Sequence, residues 1–243
     1  MKVNISIDDV SPHPHSSAIV LDRCFEIIEA FPDAKFTLFV PAAYWRTMHP
    51  TESTVKPLQI NLFPDFCKKL NDLPRNNFEL GYHGFYHGIP GKNDNDEMRY
   101  LNKESCNELL DAIFKVVDMA GLKERFSPIL RPPAWRMSEG CFDSCLEKGI
   151  EVLALSNFFE DYSDDSLNYH GRDSEFKDVV YFTSSPPWKP LKLTDKTEIV
   201  YHACEWDKNF LSESMTQDLI KFIHENLDNI EFSFMGEMID GEI

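Results

Sequence analysis

Strand-like and helix-like segments alternate along the chain from one end to the other, and that alternation constrains the fold more than any single motif. Lys2 to Ile7 is alternating and β-branched, and reads as a strand running into Asp8-Asp9. Ser16 or Ser17 can cap a helix carrying Val20, Leu21, Phe25 and Ile28 on one side. KFTLFV, residues 35–40, reads as a buried strand stopped by Pro41. A short helix over Asp65 to Leu70 and a strand over Phe78 to Gly81 follow. Leu109, Leu110, Ile113, Phe114 and Val117 mark a helix that Gly121 can terminate. Ile129-Leu130 then leads into Arg131-Pro132-Pro133, and Glu139 to Lys148 reads as a helix with Gly149 at its end. Strands are expected over Glu151 to Leu155, Val179 to Phe182 and Ile199 to Tyr201. Met215 to Leu227 is a last amphipathic helix and Ile230 to Phe234 a last strand.

Repeated βα units imply a mostly parallel sheet with helices outside it. About seven such strands in one chain suggest a closed or nearly closed barrel, in a single domain over residues 1–243. An open doubly wound sheet is the alternative, but no glycine-rich phosphate turn follows the first strand. Residues 157–178 and 183–197 are long, polar and proline-containing, and read as insertions between strands. A hydrophobic content of 42% can fill a sizeable core, and 19 phenylalanines make that core aromatic-rich.

The net charge is −17, from 41 acidic and 24 basic residues. A field of that sign repels phosphate backbones, which argues against nucleic acid and against anionic membrane surfaces. No apolar run approaches the ~18 residues of a membrane helix. MKVNISIDDV reaches two aspartates before an apolar stretch develops, so no signal peptide is expected and the expected compartment is the cytoplasm. The six cysteines are scattered and form no CxxC pair; they are expected to be free, buried thiols and not zinc ligands.

In α/β barrels the active site forms from loops at the carboxyl ends of the strands. Here those positions carry Asp8 and Asp9 with His13 and His15 close behind, then His83 and His87, then Arg131 and Trp135, then His202 with Glu205, Trp206 and Asp207. One carboxylate and two imidazoles make a three-ligand set for a catalytic divalent metal, with positions left for water and substrate. His83 and His87 share a face if residues 83–87 form one helical turn. Adjacent aspartates diverge along a strand but can converge where it ends in a turn, one on the metal and the other toward substrate water.

The order and placement of four short motifs resemble the polysaccharide deacetylase superfamily (NodB homology, carbohydrate esterase family 4). They are IDDV at 7–10, HGFYH at 83–87, RPPAW at 131–135 and VYH at 200–202. The Val10-Ser11-Pro12 continuation resembles a divergent branch linked to surface-polysaccharide (O-antigen) synthesis. The resemblance implies a distorted β/α barrel and a role for each matching residue. Asp8 would be the general base, and Asp9, His83 and His87 would hold a divalent metal: zinc, or else cobalt, nickel or manganese. Arg131 would orient Asp8, the Ala134 backbone N–H would help hold an oxyanion, and His202 would be the general acid. Val10 and Trp135 stand where the family usually has glycine. The family's Asp-x-x-Asp-Trp motif is not cleanly present. Asp161, Asp164, Asp165, Glu205 or Asp207 could supply the acidic partner of His202.

Trp135 and Trp206, with Trp45 and Trp188, fall in loops or just after strands and can stack on a sugar ring. His13 is an expected pocket residue without a counterpart in the family. The favoured activity is removal of an N-acetyl group from an amino sugar or polysaccharide precursor. A C–N hydrolase acting on a non-sugar amide or cyclic ureide, and a sugar-binding barrel without catalysis, are the alternatives.

Overall fold

The computed structural model describes residues 1–156 and 171–238. In chain order its elements are β1 (Lys2–Asp8), α1 (Leu21–Ala30), β2 (Phe36–Val40), β3 (Ala43–Tyr44), β4 (Leu58–Gln59), α2 (Pro64–Asn71), β5 (Phe78–Tyr82), α3 (Lys103–Met119), β6 (Phe126–Leu130), α4 (Glu139–Glu147), β7 (Val152–Leu155), β8 (Asp178–Tyr181), β9 (Lys196–His202), α5 (Glu213–Asn226) and β10 (Glu231–Phe232). Ser17, Asn102, Ser138 and Ser212 accept backbone N–H bonds ahead of α1, α3, α4 and α5, satisfying donors the first turn leaves open. Gly121 and Gly149 take positive φ (70° and 79°) just past α3 and α4, where a side chain would be strained.

Seven strands pair in parallel in the order β9-β1-β2-β5-β6-β7-β8. The chain beyond β8 then closes the ring: Ser184 pairs in parallel with Ile199, and the N–H groups of Thr183 and Ser184 bond Glu198 O at 3.0 and 3.1 Å. The sheet is therefore a distorted (β/α) barrel and not an open doubly wound sheet. The distortion begins at β1. Its first residues pair with β10, Lys2 opposite Glu231, whereas Ile5 to Ile7 pair with β2. The last strand is only two residues long, shorter than the 230–234 pattern suggests, because the chain from Ser233 turns beneath the barrel.

Two apolar layers follow from strand alternation. Val3, Ile5 and Ile7 of β1 are fully buried in the larger one, which also takes Leu21, Cys24 and Ile27 of α1. Burying side chains of this size stabilises by ~1.5–3 kcal/mol each. The smaller layer joins Phe39, Ile129, Val152, Ala154 and Val180 to Met235 and Met238, which plug the amino-terminal end of the barrel. The buried carboxylate of Glu79 is satisfied beside this plug by Thr37 (2.6 Å), Ser127 (3.3 Å) and the Met235 N–H (2.7 Å). One end of the barrel is thus filled, and the chemistry collects at the other. Among the described residues no helix is long and apolar enough to cross a membrane. All six cysteines are free and buried.

Candidate active site

At the end of β1 the backbone turns through Asp9, whose φ is 62°, a left-handed conformation that aspartate tolerates better than most residues. This turn separates the jobs of the two carboxylates. Asp8 remains on the strand opposite His202 of β9, while Asp9 swings toward the 83–87 loop. Val10 is buried and takes no positive φ, so valine fits the place where the resembling family has glycine.

The 83–87 segment is not a helical turn, contrary to what the His-x-x-x-His spacing suggests. Gly84 and His87 have φ of 76° and 77°, and the loop wraps around the carboxylate of Glu97. That carboxylate accepts the N–H groups of Phe85 (2.7 Å), Tyr86 (2.7 Å) and His87 (3.3 Å). A Cβ on Gly84 would collide with Glu97 Oε2 and Pro133. Burial pushes the Glu97 carboxyl up to about 7, against the three N–H bonds that favour its charged form. Glu97→Ala leaves three donors without an acceptor, at ~1–3 kcal/mol for each that stays buried. The expected result is a lower melting temperature. A wild-type value in that variant would show that the loop holds its shape without Glu97.

The imidazoles converge all the same. Their centroids are 5.0 Å apart, and Nε2 of His83 and of His87 lie 3.4 and 3.2 Å from Asp9 Oδ1. Each Nδ1 faces a backbone carbonyl, His83 that of Arg131 and His87 that of Asp94, both at 2.8 Å. A carbonyl only accepts, so each Nδ1 carries the proton and each Nε2 presents its lone pair. Asp9 Oδ1 is buried without a hydrogen-bond partner. The three ligand atoms lie within 4.8 Å of one another, the single such group among the described residues. Ligands ~2.0–2.1 Å from a tetrahedral divalent cation are about 3.3 Å apart, the spacing between Asp9 Oδ1 and each Nε2. The residues fit the metal.

The three side chains are electrostatically coupled. Burial works to raise the pKa of Asp9, but the neighbouring His87 and His83 outweigh it and hold the carboxyl well below its ordinary range. The two rings share one carboxylate. Burial works to lower both and takes His87 down to about 4, whereas the charges of the nearby Asp8 and Asp9 carboxylates carry His83 above the ordinary histidine value.

Beside this cluster, Arg131 is fully buried with its guanidinium 4.0 Å over the Phe39 ring. It bonds Asp8 Oδ1, Glu198 Oε1 and Ser6 Oγ, the last at 3.0 Å. Asp8 Oδ2 is left facing His202 Nε2 at 3.9 Å. His202 Nδ1 lies 2.6 Å from Asn209 Oδ1, and Asn209 Nδ2 donates to the carbonyls of Val200 and Pro186. That amide is held with its oxygen toward the ring, so Nδ1 is again the protonated nitrogen. Asp207 stands further off, at 4.0 Å, and Glu205 pairs instead with His15 at 3.2 Å. Asp161, Asp164 and Asp165 lie outside the described residues.

Ala134 and Trp135 both adopt left-handed conformations, with φ of 54° and 57°. For a tryptophan this is strain, of order 1–3 kcal/mol, and such strain gathers at functional sites. No backbone partner for the Ala134 N–H is found among the described residues. A cavity of about 500 Å³ opens above these groups, lined by Asp8, Asp9, His83, His87, Ala134, Trp135, His202 and Cys204, with Arg46, Trp188 and Trp206 toward its rim. The Trp135 ring meets His202 edge-on at 5.8 Å, and Arg46 lies 5.1 Å over the Trp206 ring. His13 is placed behind Trp206 and off the cavity wall. Its Nε2 faces Glu52 O at 3.1 Å and its Nδ1 accepts the His15 N–H at 3.1 Å.

Glu97, Glu198 and Asn209 are members of the site that none of the sequence motifs marks. Glu198 had a signal: it lies in phase with His202 on a buried strand, where an unpaired acid is costly. Asn209 and Glu97 lie in loops and had none.

No protein-family model and no curated protein matches the sequence. Solved structures do match the fold. A candidate polysaccharide deacetylase from Mycobacterium smegmatis aligns over 94% of this chain and 85% of its own, at 13% identity and a TM-score of 0.56. A 4-α-glucanotransferase from Thermococcus litoralis aligns over 98% of this chain and 40% of its own, at 15% identity and a TM-score of 0.53. A candidate polysaccharide deacetylase involved in O-antigen biosynthesis, from Bordetella bronchiseptica, covers 93% and 81% at 12% identity, with a TM-score of only 0.41. The chain thus has a barrel shared by a structure named as a deacetylase and another named as a glucanotransferase. Fold alone does not select between such chemistries; the site must.

Proposed function

We propose that this chain is a metal-dependent hydrolase of the polysaccharide deacetylase superfamily, removing an N-acetyl group from an amino sugar. One observation carries the reading: two Nε2 lone pairs and an orphaned carboxylate oxygen meet at metal-ligand spacing, beside a second carboxylate and a third histidine. Asp9, His83 and His87 would hold the cation. When bound, a divalent ion there supplies Lewis-acid polarisation of an acyl carbonyl and a lower pKa for water.

The protein's own groups do the rest. Arg131 engages Oδ1 of Asp8, which leaves Oδ2 to take a proton from attacking water. The Ala134 N–H, unpaired among the described residues, is available to the oxyanion. Asn209 fixes the Nδ1 proton of His202, so Nε2 is the nitrogen that delivers a proton to the departing amine. His202→Ala is expected to lower turnover by ~10²–10⁴ with metal content unchanged. An unaltered rate would remove His202 from the mechanism.

Trp135, Trp188 and Trp206 around the cavity support a sugar as the substrate, since ring faces stack on pyranoses. A role in O-antigen-like precursor synthesis, in the cytoplasm and with zinc as the metal, is the finer form of the proposal. Metal-loaded protein assayed against N-acetylated amino sugars and small amides should free acetate from the sugars and lose that activity to a chelator. Release from the small amides alone would favour the non-sugar C–N hydrolase, and no release from either panel would overturn the catalytic reading.

A further inference from the structure

Asp9 has two oxygens with different duties. Oδ1 faces both imidazoles, and Oδ2 accepts a hydrogen bond from the thiol of Cys204 at 3.1 Å. Cys204 follows β9 and is itself fixed. Its sulfur lies 3.2 Å from Ser16 Oγ and 3.7 Å from the Tyr44 hydroxyl, which in turn accepts a bond from Arg46 at 3.2 Å. Ser16 Oγ also donates to the Asp9 backbone carbonyl at 2.7 Å. The left-handed turn at Asp9 is thus clamped at its main chain by Ser16 and at its side chain by Cys204.

We propose that Cys204 is a positioning residue for the metal site, holding Asp9 as a one-oxygen ligand by occupying Oδ2. The inference rests on the metal-binding reading above. A carboxylate with both oxygens free can bind a cation through either or both; one whose second oxygen is tied down by a buried donor presents a single lone-pair direction. The thiol suits the place. It is a weak donor, so Oδ1 keeps its basicity, and it needs little room between Tyr44 and Ser16. No sulfur–metal bond is invoked.

The test is equilibrium zinc and cobalt binding to the full chain and to three variants. Wild type is measured first; if it binds neither ion, the metal reading itself fails and the role of Cys204 falls with it. If wild type binds, Cys204→Ala should lose ~10–100-fold in affinity, the usual cost of an outer partner, and Cys204→Ser, which keeps a donor, should stay within a few-fold of wild type. Cys204→Val fills the thiol's volume without a donor and serves if the alanine variant does not fold. The visible absorption of the cobalt-loaded forms is a second readout: alanine and valine should alter the band shape and serine should restore it. Alanine and valine variants with wild-type affinity and an unchanged cobalt spectrum would overturn the proposal.

Discussion

Asp8→Asn is expected to lower turnover by ~10²–10⁴, about 3–5 kcal/mol in the barrier, while the protein keeps its metal. The asparagine has the shape of the aspartate and can still accept the Arg131 bond through its own oxygen. Arg131 also retains Glu198 and Ser6, so the buried guanidinium is not left alone. What the substitution removes is the capacity to take a proton at the position facing His202. The proposed ligand atoms belong to other residues, so elemental analysis should find the same ion content as in wild type. A variant within a few-fold of wild-type turnover would take the base assignment away from Asp8.

The second large effect concerns His83. Removing its ring deletes one of the three proposed ligand atoms and leaves Asp9 and His87, too few to hold a divalent ion against water. The loss should exceed the ~10–100-fold typical of outer partners, so that His83→Ala, dialysed against buffered zinc, retains almost no ion where wild type retains about one. A thermal readout is independent of that measurement. An ion that binds only the folded state stabilises it by RT ln(1 + [L]/Kd), ~4 kcal/mol at a thousandfold excess over Kd. Zinc should therefore raise the melting temperature of wild type and leave that of His83→Ala unmoved. A variant that keeps about one ion and the same thermal shift would contradict the ligand set.

Much of this geometry was legible in the residues because barrel strands report their own ends. The β-branched alternation of Lys2–Ile7 locates β1, and the first polar pair after it falls where a barrel gathers its chemistry. Phe78–Gly81, Ile129-Leu130 and Ile199–Tyr201 place His83, Arg131 and His202 in the same way. Local spacing failed in the His-x-x-x-His loop. Its shape is set by Glu97, 10 to 12 residues from the N–H groups it holds, and by the left-handed Gly84, neither of which periodicity encodes. The sequence points to acids as partners for His202, yet the loop after β9 returns Asn209 to the strand, its carbonyl accepting the His202 N–H at 3.1 Å. A neutral amide at that place leaves no charge pattern to read. His13 illustrates the opposite limit: nearness in sequence to Asp8 and Asp9 put it among the candidates, and the turn through Ser11 and Ser16 carries its ring behind Trp206.

The proposed function requires one divalent ion where Asp9, His83 and His87 meet. The most direct measurement is anomalous diffraction from zinc-loaded crystals, recorded on both sides of the zinc absorption edge. The expected result is a single strong peak ~2.0–2.1 Å from Asp9 Oδ1 and from both Nε2 atoms. Zinc bound elsewhere on the chain, with no peak between those three side chains, would contradict it.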